Sequence, residues 1–408
     1  MGGRKVEPIL EGTRIVSFTH FLFGPMGVQT LADLGADVIA IEPVGGCWQR
    51  NWGGADSTMV DGQSVLFLAV DRGKRSIAIN LKAADGIELA RRIIAGSGVL
   101  VTNYRPGVLE KFGLGYDDLK DDHPGLVYAA ASGYGVDGPY VDKPGQDLLI
   151  QAMSGIANFN GTAETGPRPI GVSAVDHHGA ALLALGVVGA LLRRMRTGRG
   201  GRVDVSLLSS ALDLQAESLV TYLNGPRNHS TVPPKHIGGW LYGAPYGNYA
   251  TTDGHIAISL GSLKPLAEIL ESEALAAFKD SENYTRREAI AGIIAERVAT
   301  RTSAEWLEVL SARGIWCAPV NDYEAVEKDP QVVHNGQLKT VTSATGAPVT
   351  LVAHPIRYDG ETPAIDMPPQ PLGTHTDEIM LNAGYSNADI ERLEREGVIG
   401  RCPEGEAL

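Results

Sequence analysis

The strongest constraint on the fold is an alternation of short apolar runs with helical patterns that begins at residue 13 and continues past residue 200. Residues 13–42, TRIVSFTHFLFGPMGVQTLADLGADVIAIE, give an apolar run, a Gly-Pro turn, a helical pattern through Leu31 and Leu34, and a second apolar run. That order is a βαβ unit. Pro25 is tolerated in a first helical turn, and Gly24 and Gly27 let a ligand approach the helix start closely. An amphipathic helix follows at 84–95, then a strand in VLVTNY ending at Asn103 and Tyr104, a strand in LVYAAAS, and a glycine turn feeding a strand in TGRGGRVDVSLL. Strands that alternate with helices pair in parallel through crossovers, so the first half predicts an α/β fold with a parallel sheet.

Composition shifts between Gly225 and Gly247, a stretch rich in Pro, Gly, Asn and aromatic residues, which reads as a linker into a smaller domain. YGNYATTDGHIAISL is a hairpin with its turn at Asp253-Gly254, and helices occupy Leu263 to Arg313. A second boundary falls near Cys317 to Pro330. Short strands around Thr340 to Pro355, a turn in PLGTHTDEIM and a closing helix to Leu393 complete the chain. The segment SSALDLQAESLVTYL reads as one helix.

Charge and cysteine content narrow the function. A formal net charge of −13 on 408 residues disfavours nucleic acid and anionic membrane as partners, because both need a basic surface that releases counterions. Cys47, Cys317 and Cys402 are widely separated and show neither a disulfide framework nor zinc spacing. The opening MGGRKVEPILEG has no apolar signal-peptide region, and the longest apolar run is 16 residues, short of a membrane span. The expectation is a cytoplasmic enzyme without a metal.

That run belongs to the most informative stretch, Ile170 to Arg196, in which Asp176 stands at the mouth of a long helix that reads as buried, and Arg193, Arg194 and Arg196 close it. A carboxylate at a helix start meets unpaired N–H groups and the positive end of the dipole, which keep it deprotonated near neutral pH. It can then act as a nucleophile without a neighbouring base, although an Asp at this position also serves simply as a cap. A basic knot, Arg72, Lys74 and Arg75, stands at a strand entrance and suits a phosphate, a solvated turn being the plainer explanation. Gly133, Gly135 and Gly138 match GxGxxG, but Pro139 and the later Lys143-Pro144-Gly145 break the helix a dinucleotide needs, which disfavours a nicotinamide dehydrogenase. His177 and His178 point about 100° apart on a helix and lack a third ligand, so packing outweighs metal binding.

Read together, seven ordered motifs resemble the class III CoA-transferase (CaiB/BaiF) family over nearly the whole chain: FTHFLFGPMGVQTLADLGADVIAIEP, DRGKRSIAINLK, NYRPGVLEKFGLGYDDL, ASGYGVDGPY, GVSAVDHHGA with TGRGGRVDVSLL, GIWCAPVNDYEAVEKDPQV and PLGTHTDEIM. The resemblance implies that Asp176 is the catalytic aspartate. It implies coenzyme A contacts from His20, Phe21, Leu22 and Phe23, from Arg72, Lys74 and Arg75, from Asn103 and Tyr104, and from Lys111 and Phe112. It implies an acyl-CoA:carboxylate transfer in which Asp176 carries CoA as a thioester, with acyl-CoA and a carboxylic acid as partners and backbone N–H groups at the helix start stabilising the oxyanion. The implied architecture is a Rossmann-like large domain with a parallel sheet plus a smaller α+β domain in an interlocked homodimer. Its parts are 1–224 with the CoA site and Asp176, a small domain at 225–325, and 326–408 returning to the large domain.

Two departures from the family pattern bear on the reaction. Members that isomerise α-methylacyl-CoA thioesters carry a His where this chain has Gln146, and a partner carboxylate where it has Gly261 and Ser262. Racemisation needs two acid/base groups, so a racemase or epimerase is the runner-up, alongside a non-catalytic CoA-binding protein. The long glycine-run loop of the formyl-CoA:oxalate transferases is also missing, Gly238-Gly239-Trp240 being a poor substitute, and Leu22 replaces their Gln. Both put an oxalate or formate acceptor in doubt.

Overall fold

The computed structural model describes residues 6–401 except Asp61, His229 and the side chain of Ser57, so Cys402 and the opening MGGRK lie outside the described residues. The chain divides into two units, one made of Met1–Ile150, Ser173–Ala211 and Pro330–Leu408, the other of Gln151–Val172 and Leu212–Asp329. The smaller unit thus starts at 212 where the sequence suggested 225, and it takes in 151–172, which the 1–224 division assigned to the large domain.

Six parallel strands organise the larger unit: β1 (Arg14–Phe18), β2 (Asp37–Glu42), β3 (Lys74–Ile79), β4 (Val99–Thr102), β5 (Val127–Ser132) and β6 (Gly201–Ser206). Their spatial order is β3-β2-β1-β4-β5-β6, with Ile399–Gly400 antiparallel beyond β3. This is the doubly wound order in which the chain moves outward from β1 first one way and then the other. Helices on both faces bury the sheet, which is why β4 reads VLVT without alternation and is wholly buried. The main helices of this unit are α1 (Phe23–Asp33), α2 (Ala84–Ala95), α3 (Asp147–Ser154, whose end passes into the other unit), α4 (Ala174–Thr197) and α5 (Leu207–Leu214). On α2 the residues Leu89, Ala90, Ile93 and Ile94 form the buried stripe, in one cluster with Ile39, Ile41, Ile77 and Ile79 of the sheet.

Three local expectations are corrected. The single helix expected over SSALDLQAESLVTYL is two, α5 and α6 (Ala216–Asn224), parted at Gln215. PLGTHTDEIM holds the start of a helix, Thr376–Asn382, as well as a turn. And α4 is 24 residues long, enough by length and composition to cross a membrane, where the 16-residue run was expected to fall short. In this fold it buries one stripe, Val175, Gly179, Ala180, Leu183, Ala184, Val187, Ala190 and Leu191, and leaves Leu185, Leu192 and Met195 exposed, so it is not the fully buried helix the sequence suggested.

The smaller unit has an antiparallel sheet of Gly247–Ala250, His255–Ile258 and Cys317–Pro319, with the hairpin turn at Asp253-Gly254 as expected. Helices Leu263–Ile269, Arg287–Val298 and Ser303–Ala312 cover it, and Tyr249, Ile256, Leu266, Ile290, Ile294 and Trp306 form its core.

Candidate active site

Because β1 to β6 are parallel, their carboxyl ends share one edge, and the crevice of a doubly wound sheet opens where the strand order reverses, here between β1 and β4. The segments leaving those two strands carry His20 to Phe23 and Asn103 to Arg105. Asn103 ties them together: its Oδ1 accepts from His20 N at 2.9 Å and its Nδ2 donates to His20 O at 2.8 Å. Gly24 permits this approach, since a Cβ there would lie 2.8 Å from Asn103 Cγ and from Thr19 Cβ. The ring of Tyr104 packs on those of Phe18 and His20. Burial, with Arg105 nearby, lowers the His20 pKa to about 4, so its imidazole is neutral and acts as a hydrogen-bonding and packing group.

Phe21 has a backbone φ of 62°, a left-handed conformation that costs a bulky residue energy and therefore needs support. Its N–H donates to Gln49 Oε1 at 3.1 Å, and Gln49 is held in turn by Asp71. The Phe21 ring stacks on Trp48 at 4.3 Å and Trp48 on Trp52 at 5.0 Å, both indoles being about half exposed. Leu22 is the residue before α1, and Phe23 is buried against α4: a Cβ at Gly179 would lie 2.9 Å from Phe23 Cε2.

That contact fixes where Asp176 lies, one helical turn before Gly179. Since α4 leads through a short turn into β6, its start faces the carboxyl edge of the sheet, as the start of α1 does. Asp176 does not enjoy the helix-end donors that the sequence assigned to it. Asp147 Oδ2 takes the N–H groups of Val175 and Asp176 itself, at 2.8 and 3.0 Å, so neither remains for an oxyanion. Burial first, and the charge of Asp147 second, raise the Asp176 pKa to about 7, against the expectation that it stays ionised with ease.

A cavity of about 320 Å³ opens at the carboxyl ends of β4 and β5, lined by Thr102, Tyr104, Arg105, Gly107, Tyr128 and Ser132 among others. Lys111 is exposed and Phe112 half-buried on the one-turn helix Glu110–Phe112 that follows, and Glu110 contributes to the cavity wall.

The basic knot lies elsewhere. Arg72 is buried and paired through two nitrogens with Asp33 at 2.8 and 2.7 Å, and it also donates to Val352 O. Lys74 is buried, with Nζ on Pro25 O, Val70 O and Asp71 Oδ1, and burial holds its ammonium below the usual lysine range. Arg75 pairs with Asp37 and Glu378. All three stand at or before the amino end of β3 and their donors are spent inside the protein; Arg72 and Arg75 stay away from the crevice, while the Lys74 ammonium reaches Pro25 O in the first turn of α1. Their role here is to fasten α1, β2 and the C-terminal segment to the sheet; Lys74 also steadies the first turn of α1 behind His20–Phe23.

The cations at the carboxyl edge are different ones. Lys82, just beyond the end of β3, and Arg105, just beyond β4, are exposed and enter no ion pair among the described residues. Sequence reasoning passed over both and over Asp147. For Lys82 the signal was available, since ligands gather at the strand's exit and the knot marks its entrance. For Asp147 there was none, because its partners lie 28 and 29 residues on.

A family model described as CoA-transferase family III matches residues 10–376. The succinyl-CoA:glutarate CoA-transferase of Mus musculus is 33% identical over 400 residues, covering 96% of this chain and 90% of the relative. The acetyl-CoA:oxalate CoA-transferase of Acetobacter aceti is 30% identical over 337 residues, covering 80% and 85%. A crystal structure of a CAIB/BAIF family protein from Brucella suis superposes with a TM-score of 0.80 at 30% identity, covering 92% of this chain and 99% of that one.

Proposed function

From a chain that belongs to CoA-transferase family III, and is thus a CoA-transferase, we propose that it moves CoA between two carboxylic acids through a thioester on Asp176. The donor thioester carbonyl is attacked by the Asp176 carboxylate, giving a mixed anhydride and releasing CoA thiolate. The thiolate attacks the aspartyl carbonyl of that anhydride, leaving CoA on Asp176 and freeing the donor acid. The acceptor carboxylate then attacks the aspartyl thioester, and the thiolate released attacks the acceptor's carbonyl in the second anhydride. Asp176 returns as a carboxylate and the new acyl-CoA departs.

The observation that carries this reading is the position of Asp176 at the start of α4, one turn from the Phe23 contact and on the same edge of the sheet as His20 and Asn103. Incubation with acyl-CoA followed by hydroxylamine tests it. A hydroxamate on residue 176 is the expected product, and its absence from active enzyme rejects the covalent route and leaves CoA binding alone. Racemisation gains no support, since Gln146 cannot ionise. The Mus musculus relative's name pairs succinyl-CoA with glutarate, so the acceptor is sought first among dicarboxylic acids.

Lys82, Arg105 and Lys111 replace the basic knot as the cations offered to the phosphates of CoA. Lys82→Ala is expected to raise KM for the CoA thioester roughly tenfold, about 1.4 kcal/mol, with kcat little changed. Steady-state kinetics at two salt concentrations checks this, and an unchanged KM removes Lys82 from the site.

A homodimer, interlocked as the family resemblance implies, completes the reading. Its support is the apolar surface left bare: Leu185, Leu192 and Met195 on α4 in the larger unit, and Val220 and Leu223 on α6, which buries no residue, in the smaller. Light scattering during size exclusion is expected to give twice the 43.2 kDa chain mass, and a stable monomer counts against it.

A further inference from the structure

The start of α4 is capped by a residue from another helix. Ser173, its own N-cap, makes no side-chain cap hydrogen bond, and Asp147 at the first position of α3 supplies the acceptor for Val175 N and Asp176 N. A carboxylate already fills the place where a helix end best holds an anion. The carboxylate of Asp176 is therefore left outside the cap, next to a second negative charge.

We propose that Asp147 is a positioning residue of the transfer reaction: it caps α4 in place of Asp176, and its fixed charge favours the neutral thioester of Asp176 over the free carboxylate. The inference rests on Asp176 being the nucleophile. Asp147 Oδ2 lies 3.0 Å from the backbone N of Asp176, which puts both carboxylates on one helix start, where ionising both is costly; acylation is the one step that relieves the pair without a proton. In the first half-reaction the charge on Asp176 leaves with the released donor acid, since thioester plus carboxylate gives thioester plus carboxylate with the anion now outside the protein. Repulsion from Asp147 thus pulls towards loaded enzyme, and the same repulsion makes the free carboxylate more basic and a stronger nucleophile.

Burial and Asp147 are the causes acting on the Asp176 carboxyl, both in the same direction. At Gly179, α1 presents Phe23 and α5 presents Ser210, both uncharged. On α4 itself His177 and His178 flank it, and burial holds the His177 pKa below its usual value even though Asp147 acts in the opposite sense. The raised pKa of Asp176 agrees with this arrangement.

Asp147→Asn isolates the charge, because the amide oxygen still accepts both N–H groups while the negative charge is gone. Two readouts are needed, the pH profile of kcat and the ratio of thioester to free enzyme at equilibrium with an acyl-CoA and its acid, measured by intact-protein mass spectrometry. The acid limb, expected near pH 7 in the wild type, should move down by roughly one unit or more, and the loaded-to-free ratio should fall about tenfold. Asp147→Glu, which retains charge, is expected to keep its acid limb with the wild type. An acid limb and a loaded fraction unchanged in Asp147→Asn would make Asp147 a cap and nothing more, overturning the inference while leaving the nucleophile intact. No adduct on wild-type Asp176 would instead overturn the nucleophile reading itself. Should Asp147→Asn fail to fold, Asp147→Ser, a neutral acceptor at the same helix start, takes its place with the same two outcomes.

Discussion

Asp176→Asn is expected to lose transfer by roughly four orders of magnitude or more and, in the same protein, to be more stable than the wild type at alkaline pH. The loss follows from the chemistry: an amide does not form the anhydride, and no second carboxylate stands in the same place, since Asp147 Oδ2 is bound to the backbone of α4. The gain follows from linkage. Burial and Asp147 raise the Asp176 pKa to about 7 in the folded chain, against 3.8 for an unperturbed aspartate, so the folded protein holds this proton more tightly than the unfolded one. The stability it contributes is complete below the unfolded value and is lost as pH rises through the folded value. Three units correspond to about 4 kcal/mol as an upper figure, so at about pH 8 the ionised aspartate burdens the fold by that order, and the neutral amide does not. Melting curves of both proteins at acid and alkaline pH check the sign. The difference should vanish towards about pH 4, and a variant that turns over normally, or melts lower than wild type at pH 8, would sink the assignment of both role and environment. Nucleophiles that strain the fold they serve are an expected cost of function.

Arg50→Met is expected to destabilise the larger unit by about 3–5 kcal/mol, the largest effect of a substitution away from the reaction itself. Arg50 and Glu42 are both buried and meet through two nitrogen–oxygen contacts of 2.6 Å. Ser76 Oγ donates to Glu42 Oε1 at 2.7 Å, Cys47 N to Glu42 Oε2, and Arg50 Nη1 to Gln370 O. The guanidinium also lies 4.1 Å over the Phe67 ring. Burial alone pushes the Glu42 carboxyl up, and Arg50 with the other donors more than reverses it, leaving a net lowered pKa. That stability is present above the unfolded value and is lost as pH falls through the folded one. Removing Arg50 leaves burial without its counterweight, so the penalty should be greater at about pH 8 than at about pH 5, where the orphaned acid takes up a proton. Denaturant titration at both pH values checks this, and the double variant with Glu42→Gln should recover much of the loss. A loss below about 1 kcal/mol would show that the pair does not support the one-turn helix Trp48–Arg50. That segment matters to the site because Arg50 lies in sequence between Trp48 and Trp52, whose stack carries Phe21, so tryptophan fluorescence should report the loosening.

Most of the larger unit is legible in the sequence. The helix over 84–95 is found at those limits, and the strands predicted in VLVTNY, LVYAAAS and GRVDVS all lie in one parallel sheet. Period and run length are local properties, and a parallel sheet buried on both faces writes them plainly. The split at Gln215 and the extension of the smaller unit to 151–172 escaped because they depend on which surfaces meet, and neighbouring residues do not carry that information.

From the chain alone it could be read that apolar strands would alternate with helices, that Asp176 would stand at the start of a long helix, and that Asn103 would close a strand; that the strands before His20 and Asn103 are neighbours came from the fold. Tertiary structure alone decided what each charge is for. Arg72 finds Asp33 from 39 residues away, Arg75 finds Glu378 from 303, and Asp147 takes the helix end that Asp176 was expected to use from 29. The reason is physical: a backbone pattern is set by neighbours along the chain, whereas a charge answers to whatever lies within a few ångströms of it and to how much water is left there.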